Sequence, residues 1–206
     1  MSERQLPSAF IGPMLAEAFP AQYRTEALSA GRATADVLAA QQPTRRFSVQ
    51  VEGETVHIPN RLHFEPDLLV IPERYEGLRF ACALQTRSGD GFERQQAARE
   101  LLPDVQPWAA PFIIALIGEY IVEILDDIHA VLTPENVGVL AAFIIQNEAY
   151  WDTTKSRVTS YWNAYYRARW LTDERRAERR DEYVGFRLIQ ELDAAAAVAR
   201  LRSSNG

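Results

Sequence analysis

Apolar side chains recur at helical spacing through residues 14–42, most strongly in AQYRTEALSAGRATADVLAAQQ, with an interruption near Pro20 and a stop at Pro43. The period then changes to two. In RFSVQVEGETVHIPN the apolar positions Phe47, Val49, Val51, Val56 and Ile58 alternate with polar ones, which predicts a β-hairpin near 46–59. A two-residue turn at Gly53-Glu54, with glycine first, would set Val51 against Val56 and Val49 against Ile58. All four valines and isoleucines then share one face, and Gln50, Glu52, Thr55 and His57 share the other. A lone hairpin is marginal in water, so its apolar face is expected to lie against a helical body.

From Pro72 onward the pattern is helical. Elements are predicted at about 73–87, 90–102, 108–131, 134–150 or longer, 153–170 and 173–202, with breaks at Ser88-Gly89, Pro103, Pro107 and Thr133-Pro134. Thr133 is expected to cap the helix that Pro134 opens, and Thr172 to open the last one. In that last element Val184, Leu188, Leu192, Ala195 and Ala199 form an apolar stripe for docking. No Gly/Ser/Pro-rich linker and no tandem repeat interrupts the chain. One domain over 1–206 is therefore expected, with N-terminal helices over 1–45, the hairpin over 46–59 and a helical body over 73–202.

The most apolar stretch, PFIIALIGEYIVEILDDI, carries acids at Glu119, Glu123, Asp126 and Asp127. On one continuous helix they occupy a narrow stripe, about a third of the circumference. Three readings stay open. The stripe reaches water or pairs with arginines such as Arg94 or Arg157. Alternatively it binds a divalent cation or performs acid/base chemistry, with Glu148 and Asp152 from the next helix. Or it recognises a basic feature of a partner. A carboxylate-bridged di-metal site built from E-x-x-H motifs on this helix is excluded, because His129 lies six residues after Glu123 and not three.

The second dense feature is YWDTTKSRVTSYWNAYYRARW. As a helix it puts Trp151, Val158, Trp162 and Tyr165 on one side, and Tyr150, Thr154, Arg157 and Tyr161 on another. This is either core packing or a contact surface, since Trp, Tyr and Arg dominate binding hot spots. Arg157 beside Tyr161 is positioned to meet the acidic stripe.

Composition narrows the function classes. A formal charge of −6 disfavours non-specific nucleic-acid binding, which needs surplus cations. The arginines of DERRAERRDE are interspersed with acids and read as a solvated face. Lys155 is the only lysine among 22 basic residues, a skew that suggests a GC-rich bacterial genome. Cys82 is the only cysteine, so neither an internal disulfide nor a thiolate zinc cluster is available. Its setting, RFACALQ, reads as an inert core thiol. The longest uncharged run, Val105 to Gly118, is 14 residues and holds two prolines, short of the ~20 apolar residues of a spanning helix. With no apolar N-terminal stretch of signal-peptide length, a cytoplasmic location is expected.

TRSGDGFERQQAARELL resembles the first helix of a HEAT-type repeat, with Asp90, Arg94, Ala97 and Leu101 in place and Glu93 where the pattern has valine. PFIIALIGEYIVEIL would be the second helix, so the likeness covers one unit at about 86–131. Together with SYWNAYYR, these segments also resemble a group of uncharacterised bacterial helical proteins. The HEAT likeness implies helix surfaces that bind other macromolecules.

No nucleophile elbow, P-loop, dinucleotide fingerprint or zincin motif is present. The sequence therefore predicts a mainly α protein, an irregular or HEAT-like helical domain with one small hairpin. The function it predicts is non-enzymatic binding of another macromolecule, most simply a protein, in an adaptor or immunity type of role. No cofactor, nucleic acid or membrane enters this reading. Arg94, Glu119, Glu123, Asp127, Arg157, Tyr161 and Trp162 are its candidate binding residues. The alternative is a metal-dependent or acid/base enzyme using the carboxylates of helix 108–131.

Overall fold

A computed structural model of the chain describes residues 8–65, 77–167 and 179–204. These are mainly α-helical with one small antiparallel hairpin, the predicted fold class. The chain divides into two compact units, 1–103 and 104–206, each described by itself.

In the first unit, α1 (Ser8–Ala16) packs on α2 (Arg24–Ala35). The approach is close because both contact points are glycines: a Cβ on Gly31 would stand 2.3 Å from the Gly12 carbonyl oxygen. The helix predicted to run towards Pro43 stops at Ala35. Beyond it the backbone bonds to 63–65 instead: the Ala39 amide donates to the His63 carbonyl (2.8 Å) and the Glu65 amide to that of Val37 (3.0 Å). The Gln42 side chain clamps the same pair of segments, donating to the carbonyls of Ala39 and His63. Pairing with a distant segment has overridden local helix propensity there.

The hairpin forms from β1 (Arg46–Val51) and β2 (Glu54–Pro59). Its turn is Glu52-Gly53, not Gly53-Glu54. Both residues have positive φ, 52° and 86°, the requirement of a type I′ turn. Val51 therefore faces Glu54, Val49 faces Val56 and Phe47 faces Ile58. This is a correction of the register by two residues. Because the side-chain period is also two, the faces survive. Val49, Val51, Val56 and Ile58 are buried, and the polar face is laced by Ser48–His57 (2.9 Å) and Gln50–Thr55 (2.7 Å) cross-strand bonds. The hairpin is held by the turn after α1, where the Glu17 carbonyl accepts from the His57 amide (2.9 Å).

α3 (Leu78–Gln85) and α4 (Gly91–Leu101) complete the first unit. Asp90 caps α4, accepting from the amides of Phe92 (2.7 Å) and Glu93 (3.1 Å). The Glu93 carboxylate in turn accepts from the Ser88 hydroxyl, whose oxygen accepts from the Asp90 amide. This is a capping box in which Ser88 relays the return bond.

The second unit is all helix among its described residues. α5 (Ala110–Ile117) is its axis, buried on every side. α6 (Val122–Ala130), α7 (Pro134–Gln146) and α8 (Glu148–Tyr161) pack on it, and α9 (Val184–Ser204) packs on those three. Thr133 caps α7 as expected, accepting from the Asn136 amide (3.3 Å). Asn136 then serves a second purpose. Its side chain accepts from the Val105 amide and donates to the Val131 carbonyl, each at 3.0 Å, tying two loops to the start of α7. The docking stripe of α9 is buried at Val184, Leu188 and Leu192, and continues at Ala196; Ala195 and Ala199 lie half-buried at its edge. The predicted helix start at Thr172 lies outside the described residues. No single helix among the described residues is long and apolar enough to cross a membrane.

Candidate functional site

The single helix predicted over 108–131 is broken. α5 ends at Ile117 and α6 begins at Val122, so Glu119 sits in the connection while Glu123 and Asp127 sit on α6. Three interactions make the break. The Glu119 amide bonds to the Leu116 carbonyl (3.0 Å), tightening the last turn. The Tyr166 hydroxyl donates to the Tyr120 carbonyl at 2.5 Å, removing that carbonyl from any helical ladder. Ile121 is extended, and its carbonyl starts the next helix by accepting from Ile124 and Leu125. Gly118 lets α8 come close: a Cβ there would meet Thr154 Cγ2 and Arg157 Cδ at 3.4 Å.

The break dissolves the acidic stripe. Glu119 is buried, 5% exposed, whereas Glu123 and Asp126 are exposed and Asp127 is half-buried. Arg157 passes Gly118 with its aliphatic stem, but it is exposed and enters no ion pair among the described residues. Arg94 belongs to the first unit. It is 2% exposed and donates to the carbonyls of Ser88 (2.9 Å) and Gly89 (3.0 Å), which fixes the loop before α4. The carboxylates that would have completed a metal or acid/base site are engaged elsewhere, Glu148 with Arg200 (2.6 Å) and Asp152 with Lys155 (3.0 Å). Among the described residues no three His, Cys, Asp or Glu side chains stand close enough together to hold a metal ion. The convergence of carboxylates that the alternative reading requires is not present among them.

What the break does build is aromatic. α8 does not continue regularly but passes into a π-turn, Trp162–Tyr166, with the Arg167 amide bonding to the Trp162 carbonyl five residues back (2.7 Å). Such turns insert one extra residue and shift every later side chain round the axis. Here Tyr161 and Tyr165 come together, their rings 6.2 Å apart and 28° from parallel. Tyr120, turned outward by the break, meets both, at 5.8 Å and 5.6 Å. Tyr120 is 48% exposed and Tyr165 55%.

Trp162, expected beside Tyr165 on a regular helix, instead packs edge-on against Phe186 of α9 (5.5 Å, 78°). Its indole N–H is buried and has no hydrogen-bond partner among the described residues. Tyr166 lies on Tyr183 (4.9 Å), which also touches Phe186. Arg167 lies over Trp162 at 5.8 Å and Arg180 over Phe186 at 4.4 Å. The result is a cluster of Trp162, Tyr166, Tyr183 and Phe186, buried at Tyr166 and Tyr183, next in the chain to a partly exposed tyrosine triad.

Of the predicted residues, the structure brings Tyr161 into this triad and Trp162 into the cluster with Phe186. Glu119 lies in the break and Arg157 beside Gly118, Glu123 and Asp127 lie on the helix that follows, and Arg94 lies in the other unit. Tyr120, Tyr166 and Phe186 were not singled out, and Tyr165 was placed on the side of Trp162 and not with Tyr161. Only Gly118, followed three residues later by the β-branched pair Ile121-Val122, signalled that the helix would stop. Comparison of the chain with protein-family models, with curated proteins and with solved structures finds no match.

Proposed function

We propose that this chain is a non-enzymatic binding protein of the bacterial cytoplasm, of adaptor or immunity type, whose second unit recognises another protein through the tyrosine triad. The observation that carries this reading is the geometry of Tyr120, Tyr161 and Tyr165. Three large rings are preorganised by mutual contact, and two of them are left about half in water. Rings already fixed by their neighbours lose little freedom when a partner covers them, and tyrosine is enriched among residues that dominate interfaces. Tyr161 and Tyr165 stand one helical turn apart, and the break at 118–121 departs from regular helix and sets Tyr120 against both.

The test is site-specific photocrosslinking in cells that natively make the protein. A benzophenone amino acid replaces Tyr165 in one variant and Thr159, exposed earlier on α8, in another. A discrete protein adduct at 165 but not at 159 is expected. Identical patterns at both positions would contradict the reading.

A further inference from the structure

The tyrosine triad also indicates which side chain it receives. The faces of aromatic rings carry partial negative charge, and cations sit on them within about 6 Å of the ring centre. Three other aromatic rings of the second unit already hold a cation of the same chain: Trp151 under Lys155 (5.9 Å), Trp162 under Arg167 and Phe186 under Arg180. No cation of the described residues lies over Tyr120, Tyr161 or Tyr165, and within the described residues their hydroxyls have no hydrogen-bond partner. The surroundings lean acidic. α6, which begins two residues after Tyr120, exposes Glu123 and Asp126 early in its course, and the whole chain carries −6. Arg157, one turn before Tyr161, is the opposing charge on that side.

Ring spacing decides between kinds of cation. Centroids 5.6–6.2 Å apart mean rings in direct contact, with no room between them for a bulky quaternary ammonium. A flat guanidinium needs only an exposed outer face, and its N–H groups can donate to the neighbouring phenol oxygens. Arg180 on Phe186, 4.4 Å from the ring centre, exemplifies that arrangement within the same unit. We infer that the outer face of the Tyr120–Tyr161–Tyr165 triad receives an arginine side chain of the partner protein. This rests on the proposed partner-binding role of the same surface.

The experiment titrates the full chain, with ring-labelled tyrosines, against two capped tripeptides, Gly-Arg-Gly and Gly-citrulline-Gly. These differ by one charge at nearly constant shape. The arginine peptide is expected to shift the Tyr120 and Tyr165 ring resonances and to bind about 2- to 5-fold more tightly than the citrulline peptide. Tyr120→Phe should keep this preference, because the ring face remains. Tyr120→Leu/Tyr165→Leu should abolish it while leaving the Tyr183 resonances in place as a check on the fold. Equal effects of the two peptides, or no shift at the triad with either, overturn the inference. A crosslinked partner recovered at position 165 together with that result leaves the binding surface standing and removes only its arginine. Loss of the position-specific crosslink removes both.

Discussion

At the residue scale, two side chains show how local chemistry is set by burial and capping. Cys82 lies 4% exposed in α3. Burial, reinforced by the Glu100 charge, pushes its thiol from about 9 up to about 11. The unfolded chain therefore releases this proton first as pH rises. Ionisation favours unfolding between pH 9 and 11, and stability falls across that window by on the order of 2 kcal/mol. Denaturant unfolding of the wild type and Cys82→Ala at pH 8 and pH 11 should show that extra loss only in the wild type. Equal losses would place the thiol in a more polar setting than the structure gives it. Asp90 tests the cap: Asp90→Ala leaves the Phe92 and Glu93 amides without their acceptor and should cost about 1 kcal/mol in the same assay. In the sequence Asp90 and Glu93 read only as positions of a HEAT-like pattern; the cap and its relay through Ser88 depend on how the loop closes and have no periodic signature.

At the scale of elements, the positions of helices and hairpin follow from patterning, and the departures have physical causes. The hairpin kept its faces while its register moved by two, since alternation specifies faces and only turn geometry specifies pairing. Helix 108–131 read as continuous because its apolar residues recur without a gap. One of the three interactions that end it comes from the Tyr166 hydroxyl, 46 residues away in sequence from the carbonyl it bonds, a contact invisible to any local window. Glycines separate close approach from mere helix weakening. Gly31→Ala drives a methyl against the Gly12 carbonyl and should destabilise by about 1–3 kcal/mol. Gly138→Ala, in α7 with no heavy atom within 4 Å of the new methyl, should stabilise by roughly 0.5–1 kcal/mol. Thermal unfolding of the two variants checks both, and equal signs would contradict the packing described.

At the scale of the whole molecule, mainly helical character and a small hairpin were legible in the sequence, as was the absence of recognisable catalytic motifs. The candidate site was half legible. Tyr161 and Trp162 were marked by aromatic density and Tyr165 stands one helical turn after Tyr161, but Tyr120 joins the two tyrosines only because the helix before it breaks. The acidic stripe, prominent on an ideal helix, lost its common face once that helix divided. The proposed binding role therefore rests on the tyrosines and not on the carboxylates, a reversal of emphasis with a direct test. Affinity for the partner crosslinked at position 165 is to be measured by titration calorimetry for the wild type, for Tyr120→Leu/Tyr165→Leu and for Glu123→Gln/Asp126→Asn. The account predicts at least a ~10-fold weakening in the tyrosine variant, at unchanged helicity, and a smaller change in the carboxylate variant. Full affinity in the tyrosine variant would contradict it.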